Sequence, residues 1–282
     1  MTLYETLARA RARLAEAGIP EAEAWVDVDL YACTILGWDK VRLLIEQQSP
    51  APEALEPTLS QWVGRRVERE PSAYIVGHRE FWGLDFGVTP AVLIPRPETE
   101  QIVDEAVSRG RAMDAPRIAD VGTGSGCIAI AMAVELPRAR IVATDISEDA
   151  LAVARANAER HHVADRVEFV ATSYLDGVEG SFDVITANPP YVKDGDKRGL
   201  SPDVRHEPDV ALFGGTEGLR DIAGVLEAAS GALVSGGWLM MEFGYGQEPE
   251  VEALVGAQPA LRLHRMHPDL QGIPRTAIIQ RR

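Results

Sequence analysis

From about residue 116 onward, short apolar segments alternate with segments of helical periodicity, and this alternation constrains the fold most strongly. The apolar segments predict strands near residues 117–121, 140–144, 167–171, 182–187, 237–243, 261–266 and 276–281. Helices are predicted near residues 99–109, 126–136, 147–160, 217–233 and 248–256. Strands that alternate with helices form a mostly parallel sheet with helices on both faces. The chain is therefore predicted to belong to the α/β class.

The first 75 residues show helical periodicity without strands. Thr2 and Glu5 have the spacing of a capping box at the start of a first helix. Gly37 is placed to end a second helix, and Asp39 to cap a short third helix that carries Val41, Leu44 and Ile45. This region is predicted to form a small helical bundle with its own core.

The segment that follows changes character and suggests a domain boundary. Residues 79–88 carry three aromatic side chains and two glycines without helical periodicity, which predicts a β-hairpin. We therefore predict a helical domain over residues 1–75, a hairpin connector over 76–93 and an α/β domain over 94–282. Pro95 and Pro97 flank Arg96 and predict a stiff, extended segment at the start of the α/β domain.

Composition excludes several classes of protein. The 282 residues carry a net charge of −15, with no basic run to grip nucleic-acid phosphates. No apolar run approaches the roughly 20 residues of a membrane span, and the N-terminus does not read as a secretory signal. Cys33 and Cys127 lie 94 positions apart, which excludes a disulfide framework or a cysteine-based zinc site. A cytoplasmic protein is expected.

A glycine loop follows the first strand of the α/β domain and precedes a helix. Its residues are Gly122, Thr123, Gly124, Ser125 and Gly126. Glycines at such a turn allow a ligand to contact the backbone beside the positive end of a helix. The spacing differs from the dinucleotide fingerprint and resembles the S-adenosylmethionine (AdoMet) loop of class I methyltransferases. By that resemblance, the Asp120 carboxylate is expected to hold the AdoMet ammonium group, directly or through water.

An acidic residue also ends the second strand of this domain. Asp145 lies 23 residues beyond Gly122, where Rossmann-like folds place the acid that accepts from both ribose hydroxyls. Ser147 is the better N-cap of the helix that follows, so Asp145 is free for this role. We therefore predict that Asp145 binds ribose.

The strand near 182–187 ends in Asn188, Pro189, Pro190 and Tyr191. Two prolines cannot continue a central strand, so they predict a rigid loop at the carboxyl edge of the sheet, where ligands bind in open α/β sheets. The Asn188 side-chain oxygen and the Pro189 carbonyl can accept both hydrogens of a planar NH2 group, and Tyr191 can stack on it. Asn188, Pro189 and Tyr191 are the predicted catalytic residues, acting by positioning and electrostatics without metal.

The order of these motifs resembles the methyltransferases that modify NH2 groups, and three further segments resemble the HemK/PrmC family. These are Pro71 to Gly77 with Phe81-Trp82-Gly83, Leu93 to Glu100, and the Arg205-His206-Glu207-Pro208 stretch. The resemblance is close over residues 70–282. Over the helical domain it is limited to the helical character of the segment. It implies a Rossmann-like AdoMet-dependent sheet with a small N-terminal helical bundle. It also implies methylation of the glutamine side-chain amide in the Gly-Gly-Gln motif of peptide chain release factors.

The resemblance also implies contacts for particular residues. AdoMet is expected to contact residues 122–126, Asp145 and Asn188, and glutamine to contact residues 188–191. Relatives often place an acid and an aromatic beside the adenine, where this chain has Thr172 and Ser173, so either Ser173 or the next residue, Tyr174, borders the adenine. Arg96 is expected either to wall the substrate site or to be structural through Glu98 or Glu100.

Three other functions stay open at this stage. Asn-Pro-Pro-Tyr suits the adenine N6 amino group equally, but such an enzyme must hold phosphates and the chain is acidic. A glutamine of a ribosomal protein is a second possible substrate. A non-catalytic nucleotide-binding module is disfavoured by the intact tetrad. We expect a monomer that contacts release factors through its helical domain and binds neither DNA nor membranes.

Overall fold

Within residues 1–77, five α-helices surround one apolar core. They are α1 (Leu3–Glu16), α2 (Glu21–Leu36), α3 (Lys40–Ile45), α4 (Leu55–Val67) and α5 (Ser72–Val76), with a 3-10 turn at Glu46–Gln48. The computed structural model describes residues 1–269 and 271–282 and divides into two units. The helical unit comprises Met1–Gly77 and Pro202–His206, and the larger unit comprises His78–Ser201 and Glu207–Arg282.

The predicted helix ends of the helical unit are confirmed. Thr2 and Glu5 form both bonds of the capping box, Asp39 accepts from the backbone of α3, and Gly37 ends α2 with a φ of +63°. Helix α3 contributes little to the core of the helical unit, because Leu43 is its one buried residue. Its other apolar side chains are exposed at 63–74% of their surface: Val41, Leu44 and Ile45.

A segment distant in sequence completes the helical unit. Within Pro202–His206, Asp203 forms an ion pair of 2.9 Å with the buried guanidinium of Arg66. Arg66 also donates to Asp27 at 2.7 Å. A buried cation is stable only when it is paired and hydrogen-bonded, so these two carboxylates compensate its desolvation.

The predicted hairpin is present and belongs to the larger unit. Strands β1 (His78–Phe81) and β2 (Leu84–Gly87) pair antiparallel across a turn at Trp82 and Gly83. Phe81 and Phe86 are fully buried in the core of the larger unit and meet edge to face at 6.1 Å.

The larger unit confirms the predicted α/β fold. Its helices are α6 (Glu100–Gly110), α7 (Cys127–Glu135), α8 (Glu148–Arg160), α9 (Asp209–Leu212), α10 (Arg220–Ala232) and α11 (Glu248–Gly256). Its sheet strands are β3 (Arg117–Val121), β4 (Arg140–Asp145), β5 (Val167–Ala171), β6 (Phe182–Ala187), β7 (Leu233–Glu242), β8 (Leu261–Pro268) and β9 (Pro274–Arg281). Further 3-10 turns lie at Pro97–Thr99, Asp194–Gly199 and, in the helical unit, Val204–His206.

The sheet order is β5-β4-β3-β6-β7-β9-β8, and β9 runs antiparallel to both of its neighbours. Alternate residues of the central strands face opposite cores: Ile118 joins one cluster and Ala119 joins the other. Helices α6 and α7 cover the first face, and α10 and α11 cover the second. In the described residues, no helix is long and apolar enough to cross a membrane.

The strand register decides which loops meet at the carboxyl edge of the sheet. Val121, the last residue of β3, lies opposite Ala187 of β6, and Ala187 lies opposite Met241 of β7. The residues that come next in the chain are Gly122 after Val121, Asn188 after Ala187 and Glu242 after Met241. The glycine loop and the Asn-Pro-Pro segment, 66 positions apart in sequence, therefore lie side by side.

Candidate active site

A cavity opens at this carboxyl edge, and most of the predicted site residues line it. They are Arg96, Gly122, Thr123, Gly124, Ser125, Asp145, Ser173, Asn188, Pro189 and Pro190. Three predicted residues, Asp120, Gly126 and Tyr191, do not reach the cavity wall. Parallel strands on either side of a topological switch point open a crevice at this edge, which explains the position of the cavity.

The Asp145 carboxylate fixes the glycine loop and the start of the helix after β4 by accepting hydrogen bonds from backbone amides. The Gly124 amide donates to Asp145 Oδ2 at 2.9 Å, and the Ser147 amide donates to Asp145 Oδ1 at 2.9 Å. Gly122 and Gly124 have positive φ angles, and a Cβ at either position would meet no protein atom within 4 Å. A side chain there would project into the space that a ligand needs.

Gly126 has a different role from the other loop glycines. It is the N-cap of α7 with a φ of +82°, and a Cβ there would lie 2.9 Å from Ile130 Cδ1 and 3.1 Å from Ala154 Cβ. Its small size allows α7 and α8 to pack closely, so it shapes the loop without lining the cavity.

Asp120 lies beneath the loop and does not line the cavity, and its contact with the AdoMet ammonium, direct or through water, stays a prediction. The residue is fully buried, and its carboxylate accepts from Thr123 Oγ1 at 2.6 Å and from Thr186 Oγ1 at 2.8 Å. These two bonds connect the glycine loop to strand β6. The side chain therefore supports the loop, because its oxygens are directed to protein hydroxyls.

Burial raises the pKa of Asp120 to about 6, against the opposing effect of its two hydroxyl donors. Between about pH 4 and pH 6 the folded state keeps a proton that the unfolded chain releases, so folding stability falls as pH rises. The Asp120→Asn variant lacks this carboxyl, so it does not undergo this loss of folding stability as pH rises. We expect the difference in unfolding free energy, Asn variant minus wild type, to increase by about 1 to 2 kcal/mol from pH 5 to pH 8.

Urea denaturation of both proteins at the two pH values measures this difference. Asp145 also has a raised pKa from burial, but it is present in both proteins and largely cancels. A difference that does not change with pH would show that the Asp120 carboxylate is not desolvated.

Asn188 is joined to the Pro-Glu-Thr segment and to β7 by a chain of hydrogen bonds. Its Nδ2 donates to Thr99 Oγ1 at 3.1 Å, and Thr99 Oγ1 donates to Glu242 Oε2 at 2.7 Å. Glu242 is only 3% exposed, and burial raises the pKa of its carboxyl. Asn188 Oδ1 takes no part in this series of hydrogen bonds, and Asn188 lines the cavity.

Tyr191 packs against the apolar core and does not line the cavity, and its stacking on substrate stays a prediction. Its hydroxyl donates to Glu242 Oε1 at 3.2 Å, and its ring packs against the second core cluster. Gln247 Nε2 donates to the Tyr191 carbonyl at 3.2 Å. Burial raises the pKa of the Tyr191 hydroxyl, and the neighbouring Glu242 carboxylate adds to this effect. Tyr191 therefore anchors the Asn-Pro-Pro loop.

Arg96 lines the cavity and is also tied to the protein, but through a partner other than those predicted. Its guanidinium pairs with Glu207 Oε1 and donates to the Ile94 carbonyl at 2.9 Å. The Ile94 amide donates to Glu207 Oε2 at 3.1 Å. The expected partners Glu98 and Glu100 are thus replaced by a buried carboxylate 111 positions away.

The loop that follows β5 brings Ser173 and Tyr174, the two residues predicted to border the adenine, to the cavity wall. Ser173 and Tyr174 each line the cavity, together with Asp221 at the start of α10. The Tyr174 hydroxyl donates to Asp221 Oδ1 at 3.0 Å, and burial raises the pKa of Tyr174 to about 12. Both residues therefore lie where an adenine contact is possible, and which of the two borders the adenine stays a prediction.

Comparison with known proteins identifies the family. A release factor glutamine methyltransferase of Bradyrhizobium diazoefficiens is 41% identical over 268 residues, 94% of this chain and 90% of that protein. One of Moorella thermoacetica is 40% identical over 284 residues, 100% of this chain and 99% of that protein. The chain belongs to the release factor glutamine methyltransferase family. The predicted resemblance is confirmed.

Family models and solved structures agree with this membership. Residues 5–77 match the PrmC N-terminal domain, and residues 106–202 match the methyltransferase small domain. A solved methyltransferase from Pyrococcus furiosus superposes with a TM-score of 0.52 at 22% identity, covering 71% of this chain and 89% of that chain. At that identity the likeness concerns the fold alone. Within residues 1–269 and 271–282, no cluster of three or more His, Cys, Asp or Glu side chains is arranged to hold a metal ion.

Three side chains of the site had no role predicted from the sequence of this release factor glutamine methyltransferase family member. Thr99 and Glu242 hold Asn188 and Tyr191, and Glu207 holds Arg96. Thr99 and Glu207 lie in segments that carried the family resemblance, but neither had an assigned role. For Glu242 the available signal was an acid at the end of an apolar strand, at the edge where the predicted site lies.

Proposed function

We propose that this protein transfers the methyl group of AdoMet to the side-chain amide nitrogen of the glutamine in the Gly-Gly-Gln motif of peptide chain release factors. The observation that carries the proposal is one cavity lined both by the glycine loop with Asp145 and by Asn188-Pro189. The full-length similarity to release factor glutamine methyltransferases supports the choice of glutamine over adenine.

The residues on the wall fit AdoMet. Gly122 and Gly124 leave room against the backbone, and the Asp145 carboxylate is the acceptor proposed for the ribose hydroxyls. Ser173 and Tyr174 are proposed to border the adenine. When bound, AdoMet would supply a methyl group activated by the positive charge on its sulfur. The amide nitrogen that takes this methyl group would become strongly acidic and would release one of its two protons to water.

Asn188 and Pro189 are proposed to orient the glutamine. An amide nitrogen is a weak nucleophile because its lone pair is delocalised. Acceptance of its two hydrogens by Asn188 Oδ1 and the Pro189 carbonyl would raise its electron density and aim it at the methyl carbon. Pro190 and Arg96 complete the proposed substrate wall, and Arg96 is held in place by Glu207.

Incubation with AdoMet labelled in its methyl group tests the substrate. We expect label in a purified full-length release factor and none in its variant with Ala for the Gly-Gly-Gln glutamine. An adenine-containing oligonucleotide and a ribosomal protein serve as parallel acceptors. Equal label in both release factor proteins, or label only in a parallel acceptor, would contradict the proposal.

We further propose that the helical unit contacts the release factor away from the reacting glutamine. Exposed apolar side chains on α3, Leu44 and Ile45 among them, support this because patches of this kind mark interaction sites. Replacement of Leu44 and Ile45 by Glu should raise the KM for full-length release factor about tenfold or more. Activity on a short peptide that contains Gly-Gly-Gln should change less than about twofold. An unchanged KM for the full-length substrate would remove the role of this surface.

We propose that the protein acts in the cytoplasm, as a monomer and without binding DNA. Its two cysteines, Cys33 and Cys127, suit a reducing compartment. Acidic residues outnumber basic ones 43 to 28, which disfavours contact with duplex phosphates. Light scattering during size-exclusion chromatography should return the 30.6 kDa mass of one chain.

A further inference from the structure

A buried carboxylate lies next to the residue on which the proposed reaction depends. Glu242 ends β7, and its two oxygens accept from Thr99 Oγ1 at 2.7 Å and from Tyr191 at 3.2 Å. An unpaired buried carboxylate is strongly unfavourable, and an apolar side chain of similar size is often equally good for stability. Core packing therefore does not account for an acid at this position.

The ionisation of Glu242 decides which atom donates in each hydrogen bond between Glu242, Thr99 and Asn188. While Glu242 is ionised, its carboxylate only accepts, so Thr99 directs its single proton to Glu242 Oε2. The Thr99 oxygen then faces Asn188 as an acceptor, 3.1 Å away. Only the NH2 end of the Asn188 amide can satisfy that acceptor. The oxygen end of the same amide is thereby left for the cavity.

The two ends of an asparagine amide are nearly equal in shape but opposite in hydrogen bonding. If the Asn188 amide were turned over, its NH2 group would face the NH2 group of the substrate. Two donors would then oppose each other, and the substrate nitrogen would lose one of its two acceptors.

We propose that Glu242 and Thr99 are positioning residues that fix the Asn188 amide with Oδ1 toward the substrate nitrogen. The inference rests on the proposed function, in which Asn188 Oδ1 accepts from the reacting NH2 group. It adds that the protein selects the orientation of this amide by a carboxylate-to-hydroxyl relay.

Paired substitutions of Thr99 test the relay. Thr99→Val has nearly the same shape but no hydroxyl, and Thr99→Ser keeps the hydroxyl. We expect Thr99→Val to lower kcat about 10- to 100-fold, which corresponds to the loss of one buried polar contact. Thr99→Ser should keep kcat within about threefold of the wild type. For both variants, the Kd for AdoMet and the KM for release factor should change by less than about threefold.

Glu242→Leu provides a second variant, since it removes the acceptor and allows Thr99 to direct its proton to Asn188. We expect a loss of kcat comparable to that of Thr99→Val, with a cooperative unfolding transition retained. A kcat close to the wild type in Thr99→Val or in Glu242→Leu would overturn the inference.

A double-mutant cycle with Asn188→Ala separates this inference from the proposed function. If Thr99 acts through Asn188, Thr99→Val should have no further effect on kcat in the Asn188→Ala background. Full additivity of the two losses would assign Thr99 a merely structural role and overturn the inference. Wild-type activity of Asn188→Ala alone would instead overturn the proposed function.

Discussion

The Asn188→Ala variant is expected to transfer methyl groups at least about 100-fold more slowly than the wild type, with its affinity for AdoMet largely intact. In the proposed reaction, Asn188 Oδ1 and the Pro189 carbonyl together hold the reacting nitrogen. Removal of the side chain deletes one of these acceptors and frees the other to move. The loss of one preorganised polar group at a reaction centre costs about 3 kcal/mol or more in the transition state.

Single-turnover measurements with release factor at saturating AdoMet give the rate of the transfer step. Calorimetric titration with AdoMet gives its Kd, which should stay within about threefold because the ribose and loop contacts are untouched. The Thr99 hydroxyl loses its Asn188 partner, so a urea titration of the variant provides the stability control. A transfer rate close to that of the wild type would refute the role of Asn188.

The Asp145→Ala variant is expected to show the opposite pattern, with the Kd for AdoMet raised at least about 100-fold. The carboxylate is the proposed acceptor for two ribose hydroxyls, and hydrogen bonds to charged groups contribute about 1.5 to 3 kcal/mol each. The substitution also releases the Gly124 amide, so the glycine loop loses its anchor. Once AdoMet is saturating, the transfer rate should fall far less than in Asn188→Ala.

Asp149→Ala is the matched control for this variant. Asp149 lies in the first turn of the same helix, α8, is exposed and does not line the cavity. Its removal takes away the same charge, so the Kd for AdoMet should change less than about twofold. Equal weakening in the two variants would show that net charge, and not a ribose contact, controls AdoMet binding.

Sequence reasoning was most successful where the determining interactions are local. Capping by Thr2 and Asp39, the helix stop at Gly37 and the alternation of strands and helices depend on residues a few positions apart. The cavity also follows from local rules, because the glycine loop and Asn188 each end a parallel strand. Parallel strands bring such ends to one edge.

The structure adds most at polar side chains whose partners lie far away in the sequence. Asp120 was predicted to hold the AdoMet ammonium, directly or through water, and the structure shows that its carboxylate also accepts from Thr186, 66 positions later. Arg96 was expected either to wall the substrate site or to pair with Glu98 or Glu100, and its guanidinium pairs with Glu207, 111 positions away. The stacking of Tyr191 on substrate stays a prediction, and the structure shows that its hydroxyl donates to Glu242 and its ring packs against the apolar core.

The amino-acid sequence by itself determined the class of fold, the edge of the sheet that carries the site and the two motifs that meet there, because periodicity, glycine turns and Pro-Pro are read from neighbouring residues. Only the tertiary structure decided which polar side chains face the cavity and which support it from behind. A buried carboxylate or hydroxyl must find a partner wherever the fold brings one within about 3 Å, and chain distance carries no information about that partner. The relay from Glu242 through Thr99 to Asn188 joins three segments of the chain, and it exists only once β6, β7 and the Pro-Glu-Thr turn lie together.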